Sequence, residues 1–298
     1  MWTKPYGMKE GFLIGGGLIL AGLMLELSVG QVDWDAFSWP VNGIVLGGFL
    51  GIIAIIFLLK RRVYGLQFMS TYKAAIPALV YAVVLTIIMG LTRQTTDGRW
   101  LNNMLSFWPF VLIYVYMAVI LGLVVLKQLQ VWAAARFSLS AFRFSLLSHL
   151  GLFLAMTTAT LGNADMQRLK MIAVKGEPEW RALTSQHQIV EMPIAIELKK
   201  FIMETYDDGS PKRFASEIQI LTKSGKNIQA TVDVNKPVEV DGWKIYQYGY
   251  DTQMGAKSRI SILELVSDPW LPLVYTGIYM MLAGAVCLFI LGGRRKRV

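Results

Sequence analysis

Few side chains in this sequence combine reactive chemistry with an unusual setting. Histidine occurs twice, and one copy, His149, lies inside the apolar run FSLLSHLGLFLAM at 144–156. An imidazole at hydrocarbon depth needs a reason, because polar groups there are costly and concentrate at functional or packing sites. The second, His187, falls in the polar segment TSQHQIV without a nucleophile motif beside it, so it reads as a solvated loop residue rather than a catalytic base. The single cysteine, Cys287, excludes a CxxC redox pair, a cysteine zinc cluster and a disulfide within the chain. No GxxxxGK[ST] or GxGxxG motif follows a strand, and GGG at 15–17 lies in an apolar run where glycines serve close helix packing. Glu26 is the one carboxylate expected at membrane depth. It reads as an interfacial group reaching the outer headgroups, with a partner contact or a proton path as the alternatives.

The elements that must position these residues follow from hydropathy. Apolar residues make up 54% of the chain and come in blocks about 20 long, the length that crosses some 30 Å of hydrocarbon. Six blocks stand out: 11–30, 41–59, 74–91, 108–126, 144–162 and 270–293. The chain is therefore expected to be an integral membrane protein with six transmembrane helices. The first block is about 20 residues long, has no small-x-small cleavage site and is followed by more spans, so it reads as a span and not a signal peptide. Lys4, Lys9, Lys60, Arg61, Arg62, Lys73, Lys127, Arg136, Arg143 and the tail RRKRV fall at alternate ends of successive spans. The positive-inside rule puts those ends, and both termini, in the cytoplasm.

By the same count the long segment 163–269, between the fifth and sixth spans, lies outside. It holds 14 Lys or Arg against 15 Asp or Glu, so nearly all of the +9 net charge sits on cytoplasmic loops. The basic balance thus reflects topology in a lipid bilayer, not a nucleic-acid face. Period-two alternation in RLKMIAVKG, IVEMPIAIEL, FASEIQILT, NIQATVDV, GWKIYQYGY and SRISILELV predicts short strands, with TYDDGSPKR, KSGK and EVDG as turns. A compact antiparallel sandwich or sheet of about 100 residues is expected.

Counting from Arg143, His149 is six residues into its helix, about 9 Å at 1.5 Å per residue, and so in the inner half of the bilayer. A neutral imidazole there has one nitrogen free as an acceptor or metal ligand. An interhelical hydrogen bond, worth about 1 kcal/mol or less, is the other reading. Leu146, Leu152, Phe153 and Met156 share its face at helical spacing, a surface that suits a porphyrin or a neighbouring helix equally.

Several segments resemble the ResB family, the CcsB-type subunit of system II cytochrome c biogenesis. SHLGLFLAMTTATLG resembles its histidine-bearing span, MPIAIELKKFIMETYDDGSPKRFASEIQIL resembles strands of its external domain, and VNKPVEVDGWKIYQYGYD, at 234–251, is the most specific match. STYKAAIPALVYAVVL, FWPFVLIYVYMAVILGLVVLKQL and SDPWLPLVYTGIYMMLAG resemble its core spans in order. The resemblance divides the chain into two extra spans at 1–66, core spans at 67–162, a periplasmic β-rich domain at 163–269, and a final span with a basic tail at 270–298. Nothing matches the tryptophan-rich WWD segment by which the companion subunit, CcsA, handles haem.

The resemblance implies a bacterial inner-membrane protein that is not an enzyme alone, but one subunit of a haem-transporting and haem-lyase complex. Haem, as haem b in transit, would be held jointly with a CcsA-like partner and attached to apocytochrome c. His149 would be one axial ligand, and the partner would supply the second. Trp243, Tyr246, Tyr248 and Tyr250 alternate along one strand. They could contact the partner or the apocytochrome, although aromatic strands more often form sheet core. Asn235 and Pro237 are expected to shape a turn. The alternative function is a scaffolding membrane protein whose β-domain binds a partner while His149 only packs.

Overall fold

The computed structural model describes residues 4–95, 98–137, 144–208 and 210–292, and within these the chain forms two compact units. Arg143, from which the depth of His149 is counted, and the tail 293–298 lie outside the described residues.

The first unit comprises 1–164 and 270–298. Its helices are α1 (Met8–Val29), α2 (Val41–Leu59), α3 (Tyr64–Met69), α4 (Tyr72–Leu91), α5 (Trp108–Ala134), α6 (Phe144–Gly162) and α7 (Leu271–Gly292). All but the short α3 are long and apolar enough to cross a membrane, which makes this a multi-pass membrane protein. Helix α5 runs about two turns past the expected end at Leu126, because Lys127, Gln128 and Gln130 are polar yet favour helix.

Close packing is built on glycine. A Cβ on Gly11 would stand 2.5 Å from the Lys73 carbonyl of α4, and one on Gly22 would stand 2.5 Å from the Pro109 nitrogen of α5. These two, with Gly15 against Tyr81, form a buried stripe on α1; within the GGG run, Gly17 meets nothing. Between α6 and α7, a Cβ on Gly151 would meet the Gly277 carbonyl at 2.5 Å, and one on Gly277 would meet the Gly151 carbonyl at 2.6 Å. Small residues let backbones approach where lipid leaves only van der Waals packing to hold helices together.

Helix α2 packs on α5 and α6 through Ile53, which clusters with Val119, Leu123, Leu146 and Phe153, and through Phe49 stacked on Phe153. Buried Asn42 donates from Nδ2 to the Leu161 carbonyl at 3.2 Å, meeting an acceptor in the last turn of α6. The first two spans, which the resemblance could not place, are therefore packed into the helical unit.

The second unit, 165–269, is an eight-stranded antiparallel sheet in the order β5-β4-β3-β2-β1-β8-β7-β6. The strands are β1 (Gln167–Val174), β2 (Pro178–Leu183), β3 (Ile189–Thr205), β4 (Pro211–Thr222), β5 (Asn227–Asp233), β6 (Val238–Val240), β7 (Trp243–Tyr250) and β8 (Ile260–Ser267). One core is shared by all eight strands, from Leu169 and Met171 through Ile194, Ile196, Ile218 and Val232 to Ile245 and Leu263. The sheet wraps around this core.

Two strands were not expected. In β2 only Ala182 is fully buried, too small a signal against Pro178 and two charges, and β6 is three residues long. Strand β3 continues seven residues beyond Leu198 because a bulge at Leu198/Lys200 switches the buried positions from Ile194, Ile196 and Leu198 to Phe201. A strict period-two reading stops there. The β6–β7 hairpin closes through Asp241 at φ 47° and Gly242 at φ 83°, the left-handed pair that a two-residue turn needs. Asn235, at φ 61°, is a turn residue as expected.

Candidate functional site

His149 is half-buried in α6 and held on one side. Its Nδ1 stands 2.5 Å from the Ser145 carbonyl one turn earlier. A carbonyl oxygen can only accept, so Nδ1 carries a hydrogen and, in the neutral ring, Nε2 keeps a bare lone pair. The Gln128 amide of α5 approaches the same Nδ1 at 3.3 Å. Fixing the tautomer through a carbonyl is the usual way a protein readies the other nitrogen for a metal.

The apolar surface around the ring is not the single face expected from spacing. Leu146 and Phe153 turn inward and are 3% and 8% exposed in the cluster with α2 and α5, whereas Leu152 is 42% exposed. The imidazole therefore sits on the rim of the α5–α6 contact. Beside it, a cavity of about 180 Å3 is lined by Ser70, Val124, Lys127, Gln128 and Val131. Among the described residues, Ser70 Oγ, Tyr116 OH and Gln128 Oε1 are buried side-chain atoms with no hydrogen-bond partner. The sequence reading missed Gln128 because it ended the span two residues earlier; the helix-forming run LKQLQ was the available signal. No cluster of three or more His, Cys, Asp or Glu that could hold a metal ion occurs among the described residues.

Glu26 does not reach for headgroups. It is 8% exposed, and its Oε2 accepts the backbone N–H of Trp108, the first residue of α5, at 3.3 Å. The carboxylate thus serves a free donor at a positive helix end, a role invisible in the local sequence. Nearby, Trp108 Nε1 donates to the Gly30 carbonyl at 2.8 Å and Trp34 Nε1 to the Leu105 carbonyl at 3.1 Å.

The four strand aromatics are separated by the structure. Trp243 is 9% exposed and belongs to the core with Ile245, so it is removed from the contact set. Tyr246 and Tyr248 point to the other face, where Tyr248 is 52% exposed and carries Lys170 Nζ 3.8 Å from its ring centre. A bulge between Gln247 and Gly249 breaks the alternation, and Tyr250 instead packs on Phe201, at 5.0 Å between ring centres, and on Phe214. The expected common face of Tyr246, Tyr248 and Tyr250 does not form. Gln247 points into the core, where its Nε2 donates to the Gly249 carbonyl at 2.9 Å and to Ser261 Oγ at 3.0 Å. Ser261 Oγ also accepts from Ser216 Oγ at 2.7 Å, a buried polar link between β4 and β8. His187 is exposed in the β2–β3 turn at φ 62°, as a loop residue should be.

Residues 143–264, which include His149 and most of the sheet, match the profile of the ResB-like family. A stretch of 100 residues is 30% identical to the cytochrome c biogenesis protein CcsB of Prochlorococcus marinus subsp. pastoris, covering 33% of this chain and 22% of that protein. A CcsB of another Prochlorococcus marinus strain is 28% identical over 102 residues, 34% of this chain and 23% of that protein. The chain thus matches less than a quarter of these relatives' length. Among solved structures, a cytochrome c haem lyase, CcmF, aligns over 95% of this chain and 46% of its own at 14% identity and a TM-score of 0.38.

Proposed function

Starting from a chain that is ResB-like over residues 143–264, we propose that it is a membrane subunit of system II cytochrome c biogenesis. With a CcsA-like partner it takes part in delivering haem across the bacterial inner membrane and attaching it to apocytochrome c. The observation that carries this reading is the His149 tautomer: the Ser145 carbonyl holds the hydrogen on Nδ1 and leaves Nε2 free for iron. Haem is the cargo in this reading.

His149 is the one histidine within a span, and low-spin haem takes two axial ligands, so the partner supplies the second. The distribution of basic residues supports an orientation with both termini in the cytoplasm and the sheet in the periplasm. There the outer face bearing Tyr246 and Tyr248 offers a surface to the apocytochrome or the partner. The chain's own part in the chemistry is binding and orientation. Gln128 and Ser145 orient the ring, and α5 supports it from one side.

The test is coexpression with a CcsA-like protein and pyridine haemochrome analysis of the purified complex. His149→Ala is expected to lose bound haem and cytochrome c maturation, and His149→Gly is expected to regain haem on addition of imidazole. Unchanged haem and maturation in His149→Ala would leave the scaffolding role as the better account.

A further inference from the structure

The cavity beside His149 has polar groups that nothing in the chain satisfies. Ser70 Oγ is buried without a partner, and so is Gln128 Oε1. As placed, Gln128 Nε2 faces Nδ1 and its unpartnered Oε1 faces away; because Nδ1–H already donates to the Ser145 carbonyl and two donors do not bond, exchanging the amide's oxygen and nitrogen is the consistent assignment, and it leaves the NH2 as the free group. Lys127 adds a cation to the lining, and Lys60 stands close enough to feel it. Burial lowers the Lys60 pKa, and the positive charges of Lys127 and Arg61 lower it further. Lys60 rests over the Phe57 ring at 3.4 Å, and the ion pairs among the described residues all lie in the sheet unit, so no carboxylate balances this group.

A pocket with one hydroxyl, one amide NH2 and an ammonium, and no acidic residue in its lining, is built for an anion with oxygen acceptors. Its apolar walls, Val124 and Val131, suit an anion carried on an apolar body. Two sources share this chemistry, a porphyrin propionate and a phospholipid headgroup. The hydrogen-bond chain through Gln128 to His149 favours the first, because one amide then touches both the iron ligand and the anion pocket.

We propose that the cavity lined by Ser70, Lys127 and Gln128 binds a propionate carboxylate of the haem whose iron meets His149. The proposal rests on the haem reading above and adds the residues that set the orientation of the ring.

The experiment titrates haem and haem dimethyl ester into the full chain coexpressed with a CcsA-like partner, in wild type, Lys127→Gln and Ser70→Ala. Esterification removes the charge but keeps the iron, so the wild-type complex should hold the ester about tenfold more weakly than haem. Lys127→Gln should weaken haem about tenfold and leave the ester nearly unchanged, and Ser70→Ala should act in the same sense more weakly. Equal affinities for haem and ester in the wild type, or equal losses for both in Lys127→Gln, would overturn the propionate assignment while the haem reading stood. No haem binding in the wild type would remove both. If Lys127→Gln releases tightly held phospholipid phosphorus without separating haem from ester, the anion is a lipid headgroup and the proposal fails.

Discussion

His149, Glu26 and Gln247 are polar side chains in apolar surroundings, and each is explained by the group it meets. For His149 that group is a carbonyl which selects the tautomer, so a variant that keeps the ring but loosens it should show a graded effect. Gln128→Leu removes the second contact on Nδ1, and haem retention is expected to fall by less than in His149→Ala when both are measured by haemochrome. Glu26 meets the first N–H of α5, so Glu26→Ala should cost about 1 kcal/mol and lower the melting temperature of the purified chain in micelles. Gln247 and the serines Ser216 and Ser261 share a buried network, and Ser261→Ala leaves two partners unmet. A loss of about 1–3 kcal/mol is expected, read as faster hydrogen exchange of the β4 and β8 amides. His149 and Glu26 were both visible as sequence features, but their bonding partners lie on other turns or helices, and no spacing rule points to them.

At the scale of elements, the helical spans were legible because hydrocarbon thickness sets their length. Their pairing was not, because apolar side chains in lipid carry no directional signal. The Gly151 and Gly277 contact is where α6 and α7 meet backbone to backbone. Gly277→Leu should force them apart and lower the melting temperature, whereas the same change at Gly17, which faces open space, should have little effect. In the sheet, alternation identified six of the eight strands. It failed at the bulges in β3 and β7, where one extra residue moves the next side chain to the other face. That shift is why Tyr250 lies against Phe201 and away from Tyr248. The β2 strand carries an exposed pair, Arg181 on Glu179 at 2.8 Å. The hydrogen bond from Arg181 holds the Glu179 carboxyl below its ordinary pKa of 4.5, against a smaller opposing effect of burial. A lowered folded pKa stabilises above the unfolded value, and the contribution disappears as pH falls through the folded one. Protection of the β2–β3 amides should therefore weaken slightly on acidification below about pH 4.5, by a few tenths of a kcal/mol after solvent screening. Arg181→Gln should flatten that slope.

For the whole molecule, the proposed orientation makes a direct prediction. In a Cys287→Ser background, Lys223→Cys in the β4–β5 turn should react with a membrane-impermeant maleimide in intact cells, and Arg62→Cys should react only after lysis. Labelling of position 62 from outside would reverse the assignment. Composition and hydropathy decided that the chain spans a membrane several times and carries a separate β-rich segment, because both follow from local rules of length and period. The resemblance carried by SHLGLFLAMTTATLG and VNKPVEVDGWKIYQYGYD pointed to the family that the comparison found. Three-dimensional contact supplied the rest: that His149 Nδ1 meets the Ser145 carbonyl, that Glu26 belongs to a helix end, that Trp243 is core, and that a cavity lined by Ser70, Lys127 and Gln128 lies against the Gln128 that touches the histidine. Each depends on a hydrogen bond or a close approach between groups, most of them far apart in the chain, where distance and direction count and residue type alone does not.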